Sequence, residues 1–200
     1  MKRKPLFIAL GTAAIAALAL VSTLVAFAVA GDDASAKTTL KFDIAENGTR
    51  FSPAGIFVHD DENGYPAFGD PFVTEGYIYP AGTLAQDADG NWNGVNEDGS
   101  PEFPDLVIGR WTCSGWHVGD GGNTVTGPWV VSTQVYDLGD AAGEESVVTH
   151  GYETPESFAI MRAITGGSGK YSNARGEMTQ TFMGFNGALG VTLQVELEVK

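Results

Sequence analysis

The sequence predicts an all-β domain whose strands run as an antiparallel meander closing into a barrel, behind an apolar N-terminal leader. Three observations carry this reading. Beyond residue 37 the helical period is absent almost everywhere, and β-branched and aromatic residues alternate with polar ones instead. Clusters of Gly, Asn and Asp separate the alternating runs at hairpin spacing. Seven or eight consecutive hairpin strands leave two exposed edges, which closure removes.

Residues 1–36 form an export leader and tether. Lys2, Arg3 and Lys4 precede a run from Pro5 to Gly31 with no charged side chain, which is the pattern of a secretory signal. Ala28-Val29-Ala30 and Ala34-Ser35-Ala36 both offer small-residue cleavage sites. The run is also as long as the roughly 20 apolar residues that cross a bilayer as a helix, so a retained membrane anchor is the alternative. The expected location is secreted or cell envelope, with membrane contact only through an uncleaved leader. Cleavage after Ala30 leaves eight basic against 25 acidic residues, a net charge of −17 in place of −14. Such acidity excludes nucleic acid and anionic lipid as natural partners.

Residues 37–200 have the size of one domain with a sizeable core. Cys113 is the only cysteine, so no intrachain disulfide forms. Beside Trp111 and Trp116 it reads as a small buried hydrophobe. The clearest strand is the last: Val191, Leu193, Val195, Leu197 and Val199 share one face, and Thr192, Gln194, Glu196 and Glu198 the other. Asn186-Gly187 before it is expected to supply the two positive-φ residues of a tight hairpin. Upstream, Trp129 to Asp137 and Glu145 to Tyr152 flank a turn at 139–143, and Leu106 to Val118 ends at a glycine turn. Leu84 to Pro104, rich in Asp, Asn and Gly around Trp92, is a surface loop, either a lid or binding loop or a solvated excursion.

Within that loop Asp87, Asp89 and Asn91 place oxygens at alternate positions, as calcium loops do. Trp92 and Asp98 stand where an EF-hand needs Gly and Glu, so an ordinary Asx-rich turn is the competing reading. Gly166-Gly167-Ser168-Gly169-Lys170 lacks the phosphate-loop pattern, because Ile164 and Tyr171 occupy the positions of its first Gly and its Ser/Thr. His59, His117 and His150 have no metal-ligand spacing and read as structural or surface residues. Asn47-Gly48-Thr49 is a glycosylation sequon. No cofactor is expected.

The stretch from Ala163 to Glu177, with Gly166-Gly167-Ser168-Gly169-Lys170-Tyr171 and Asn173-Ala174-Arg175-Gly176-Glu177, resembles the signature shared by plant allene oxide cyclases and dirigent proteins. Gly69-Asp70, Ile108-Gly109-Arg110 and Thr133 to Asp140 follow in the same order, so the resemblance spans about residues 38 to 200. It implies an eight-stranded antiparallel up-and-down barrel with a mostly apolar lumen, usually trimeric. On the first strand it puts Asp43 at the family's acidic position, with Ala45 replacing an asparagine. Ser52 and Pro53 match a Ser-Pro pair, and Val73-Thr74-Glu75 matches Phe-Thr-Asn without the amide. The dirigent aspartate becomes Met161, while Arg110, Arg175 and Gly176 fit.

From these matches Asp43 and Glu75 are expected to be the polar actors and Ser52, Pro53 and Val73 ligand contacts. Arg110 is an anion anchor or an ordinary salt-bridge partner. If Asp43 faces the lumen, period two turns Leu40, Phe42 and Ile44 outward, and a neighbouring subunit is the simplest cover. If instead the apolar trio points inward, Asp43 is a solvated strand carboxylate. Two functions follow: a barrel that binds a small hydrophobic molecule and steers its cyclisation, coupling or isomerisation without a cofactor, or a non-catalytic ligand-binding or structural barrel at the cell surface.

Overall fold

A computed structural model describes residues 37–53 and 66–200. The leader, its expected helix and His59 lie outside them. Among the described residues there are nine strands: β1 Thr38–Glu46, β2 Ser52–Pro53, β3 Pro71–Pro80, β4 Gly109–His117, β5 Val130–Asp137, β6 Ser146–Glu153, β7 Ala159–Gly167, β8 Gly176–Phe185 and β9 Val191–Val199. Every neighbouring pair is antiparallel, in the order β1-β9-β8-β7-β6-β5-β4-β3, and β1 also pairs with β3. The eight long strands therefore close a barrel. The two-residue β2 attaches to the start of β3 as a short annex.

Alternation decides which side chains fill the interior. Phe42 and Ile44 on β1, Ile78 on β3, Trp111 and Cys113 on β4, Tyr136 on β5, Met178 on β8 and Leu193, Val195 and Leu197 on β9 form one buried cluster. The β9 expectation holds, with Val191 packed at the margin of the cluster. The expected outward stripe of Phe42 and Ile44 is thus the wall of the lumen, and the case it made for a covering subunit falls away.

The hairpin before β9 is built differently from the expected Asn-Gly turn. Asn186 acts through its side chain: Oδ1 accepts from the amides of Ala188 (3.0 Å) and Gly190 (3.1 Å), and Nδ2 donates to the Glu46 carbonyl at 2.8 Å. The positive φ falls on Leu189, at 62°. The side chain of an Asx residue can replace the backbone bond that an Asn-Gly corner would otherwise supply.

Residues 81–108 are neither a lid nor a solvated excursion. They form an arm strapped to the outer wall, because the chain offers it donors there. Tyr79 donates its hydroxyl to the Gly94 carbonyl (2.6 Å), Tyr77 to the Gly99 carbonyl (2.9 Å) and the Trp92 indole to the Met183 carbonyl (2.8 Å). Ala45, Tyr79, Leu84, Val95 and Ala188 make a second small core beneath the arm, with Trp92 and Phe103 against it. The sequon asparagine is buried in the same contact, its amide donating to the Gly99 carbonyl at 2.8 Å.

The β1–β3 seam is the closing joint, and Gly76 sits on it opposite Glu46. A Cβ at Gly76 would lie 2.4 Å from the Ala45 carbonyl oxygen, a backbone atom that cannot swing aside. Gly76→Ala is expected to destabilise the fold by about 2 kcal/mol or more, read as a lowered midpoint of urea denaturation.

Candidate functional site

The barrel has two unlike ends. At the end where β3, β5, β7 and β9 begin, the lumen opens as a cavity of 450 Å³, within the range of about 300–1,000 Å³ usual for small-molecule sites. Toward the other end Phe42, Tyr136, Met178 and Leu197 are buried and plug the lumen. The cavity walls are largely aromatic and aliphatic: Phe72, Trp111, Trp129, Phe182 and Leu193 among them. Glu46, Thr74, Cys113, His117, Glu153 and Gln180 add polar groups.

Glu46 ends β1 on the same face as Phe42 and Ile44, and this parity points it inward. Its Oε1 accepts from the Thr74 hydroxyl at 2.5 Å and its Oε2 from the Val191 amide at 2.6 Å. Burial pushes its carboxyl above the ordinary range; the two donors oppose this and the charge of Glu153 adds to it. The cavity thus holds one acid disposed to keep its proton.

Glu153, from the end of β6, anchors a polar belt across the lumen. It accepts from the Ser132 hydroxyl and from Gln180 Nε2 (3.1 Å), and Arg162 Nη1 lies 3.4 Å away. Arg162 is 2% exposed. It spends its guanidinium on the Ser132 carbonyl and hydroxyl (both 2.9 Å) and the Tyr152 carbonyl (3.1 Å). Gln134 Nε2 donates to Gln180 Oε1 at 2.9 Å, and Gln134 Oε1 accepts from the Tyr136 hydroxyl. A relay of donors thus runs from the plug to the cavity. Cys113 lies 3.5 Å from Glu153, and burial raises its thiol well above the ordinary value, so it is held as the thiol.

His117, expected to be structural or at the surface, lines the cavity between Phe72 and Trp129, with ring centroids 5.3 and 6.0 Å away. It is 2% exposed. Neither ring nitrogen has a hydrogen-bond partner among the described residues, and the same holds for the indole nitrogens of Trp111 and Trp129. Burial lowers the imidazole pKa against the pull of Asp70, which favours the neutral ring.

The expected actors stand elsewhere. Asp43 faces outward, buried beneath the arm, where its Oδ2 accepts from the Leu84 amide at 3.0 Å. It is neither a lumen group nor a solvated carboxylate, because the arm covers the outer face of β1. Glu75 also points outward and pairs with Arg50 at 3.4 Å; Val73 and Arg110 are exposed on the outer face. The backbone of Ser52 and Pro53 pairs with Val73 and Phe72 at the open end. Only Thr74, of the Val-Thr-Glu match, enters the cavity. The signal that would have found Glu46, Glu153 and Arg162 is parity: each shares its strand face with residues such as Ile44, Val147 and Ile164 that belong to the core.

In the 87–91 turn, Asp87 Oδ1 accepts from the amides of Asp89 and Asn91, both at 2.9 Å, which is the geometry of an Asx turn. Those bonds hold its carboxyl below the ordinary value.

Solved structures share this fold at low identity. Two are dirigent proteins described as pterocarpan synthases: one at TM-score 0.54 and 15% identity, covering 82% of this chain and 95% of its own, the other at 0.52 and 14%, covering 82% and 83%. A pyocyanin demethylase superposes at TM-score 0.50 and 15% identity over 82% of this chain and 100% of its own. No protein-family model and no curated protein sequence matches the chain. At these identities the likeness is one of fold, an eight-stranded dirigent-like barrel.

Two stability predictions follow from the buried charges. Arg162→Met strands Glu153 and is expected to cost about 3–5 kcal/mol, while the double variant Arg162→Met/Glu153→Gln recovers much of the loss in chemical denaturation. For Glu46 the folded pKa lies above the unfolded value near 4.5, so its contribution is full below that value and is lost as pH rises through the folded one. Relative to Glu46→Gln, the parent protein is expected to lose melting temperature progressively from about pH 4.5 upward.

Proposed function

We propose that this protein is an exported barrel that takes a small hydrophobic molecule into its open lumen and steers its cyclisation or isomerisation without a cofactor. The observation that carries the reading is the 450 Å³ aromatic-walled cavity with a buried acid, Glu46, and in the same lining an imidazole, His117, that is biased toward its neutral form and has no hydrogen-bond partner among the described residues.

Apolar walls exclude water and hold a flexible molecule in one conformation, which lowers the entropy barrier to ring closure. Glu46 donates its proton to a heteroatom of the bound molecule as a bond to that atom opens, and His117 accepts a proton from a neighbouring carbon or hydroxyl. The molecule gains one proton and loses one, so its composition is unchanged and no co-reactant is consumed; the barrel resets when the proton on His117 passes to Glu46 through solvent, and a depleted water shell makes each transfer in the bound state more effective. The indole N–H groups of Trp111 and Trp129 supply donors that fix the orientation of an oxygenated ligand. The dirigent-like fold of the two pterocarpan synthases is compatible with this class of chemistry.

The test is native mass spectrometry of the protein isolated from its own host, followed by organic extraction. One bound small molecule per barrel is expected, and Thr74→Trp, which fills the cavity, should not retain it. Incubated with the extracted molecule or its precursor, Glu46→Gln should still bind it but convert it roughly 10²-fold more slowly or worse. Retention without any conversion by the parent protein would leave a binding barrel and overturn the catalytic part. An empty lumen that quenches with no apolar probe would overturn the whole.

A further inference from the structure

Glu46 occupies the last position of β1, where a strand ordinarily frays. The β1–β9 ladder stops one residue earlier, at Ala45 and Thr192, and on the other side Glu46 lies opposite Gly76. Its carboxyl nevertheless meets two donors from different strands, Thr74 of β3 and Val191 of β9. Both bonds depend on where the end of β1 is held. A group that is to meet a ligand needs its position fixed to within about 0.5 Å.

The hold comes from outside the barrel. Asp43, Ala45 and Asn47, the outward residues that alternate with Ile44 and Glu46, all touch the 81–108 arm. Asp43 accepts from the Leu84 amide. Ala45 shares the small outer core with Leu84, and a Cβ at Gly94 would lie 2.9 Å from its own. Asn47 donates to the Gly99 carbonyl, and that same carbonyl accepts from the Tyr77 hydroxyl at 2.9 Å. Tyr77 stands on β3 opposite Ala45. One oxygen of the arm thus ties β1 to β3, next to Glu46 on one strand and next to its partner Gly76 on the other. Only glycine permits the approach: Gly99 is buried at φ 83°, and a Cβ on it would lie 2.7 Å from Asn47 Oδ1 and 2.5 Å from Thr49 Oγ1.

A second tie runs through the β8–β9 hairpin. Trp92 donates its indole N–H to the Met183 carbonyl and its amide to the Phe185 carbonyl at 3.0 Å, where the β8–β9 register shifts between Phe182 and Gly184. Asn186 follows directly and donates to the Glu46 carbonyl. We infer that the arm is the positioning element of the cavity acid: through the Gly99 carbonyl it fixes the end of β1 so that the Glu46 carboxyl stays on Thr74 and on the Val191 amide. Asn47 and Tyr77 are then positioning residues for a carboxyl on the opposite face of the sheet. Among the described residues neither lines the cavity, so removing its hydrogen bond leaves the walls, and Cys113, His117 and Glu153 beside Glu46, in place. The inference rests on the reading of Glu46 as the acid of the cavity, while the hold itself is measured without any ligand.

The experiment follows hydrogen exchange at the Val191 amide by NMR in the 15N-labelled full chain under native conditions. Tyr77→Phe removes one hydroxyl, and Asn47→Asp removes the amide donor while keeping the acceptor for Thr49. In each variant exchange at Val191 is expected to quicken about fivefold or more, the size of one lost hydrogen bond. Two further variants set the baseline. Thr83→Ala deletes a bond that does not reach the seam, and Val147→Ala loosens the core away from the cavity lining; neither should alter Val191. Unchanged exchange in both Tyr77→Phe and Asn47→Asp would overturn the inference, as would equal quickening in Val147→Ala. With the molecule extracted from the host, Tyr77→Phe should lower kcat about fivefold and leave KM as it is. A raised KM with unchanged kcat would tie the arm to binding and overturn the inference. A parent protein that converts nothing overturns the proposed chemistry, and exchange at Val191 then decides the positioning alone.

Discussion

Closure of the sheet is the constraint on which everything else depends. β1 pairs with β9 along one side and with β3 along the other, passing over the two-residue β2. With both neighbours satisfied, no long strand offers an unpaired edge, and every strand acquires an inside and an outside. The inside is then divided along the axis by side-chain size and polarity. Phe42, Tyr136, Met178 and Leu197 fill one end, the Gln134–Gln180–Glu153–Arg162 belt spans the middle, and the aromatic chamber occupies the other end.

The belt explains how the chamber can hold carboxylates at all. A charge buried alone is strongly disfavoured, so Glu153 is met by a guanidinium, a hydroxyl and an amide, and Arg162 by backbone carbonyls as well. Glu46 has no cation among the described residues and is instead met by one hydroxyl and one amide, and its proton is correspondingly harder to remove. The two acids share a cavity and differ in surroundings. That contrast separates a structural carboxylate from one able to exchange a proton with a ligand. Each nitrogen of His117, Trp111 and Trp129 without a hydrogen-bond partner among the described residues is a further place for a ligand to bond.

The outer wall has its own logic. The arm at 81–108 buries Ala45, Tyr79 and Asp43 on faces that an open barrel would leave wet. β1 is consequently buried on both faces over its second half. A strand covered on both sides carries no clear alternation, so neither choice of inward residues on β1 could be made by pattern alone. The arm also explains why Asn47 and Trp92 are fixed rather than displayed: their polar groups complete the contact between arm and barrel.

The all-β class, the hairpin order and the inward face of β9 were legible from residue spacing, because side-chain alternation and turn composition are local properties of the chain. Motif matching also brought the barrel within reach, since glycine-rich turns mark strand ends whatever the lumen contains. The site was not legible in the same way. Asp43 and Glu46 are three residues apart and therefore on opposite faces, and only ring closure together with the arm decides which faces the lumen. Glu46, His117 and Glu153 come from three strands separated by tens of residues, and their meeting is a consequence of how many strands close the ring and with what register. Those are tertiary quantities. No local pattern of apolar and polar residues contains them.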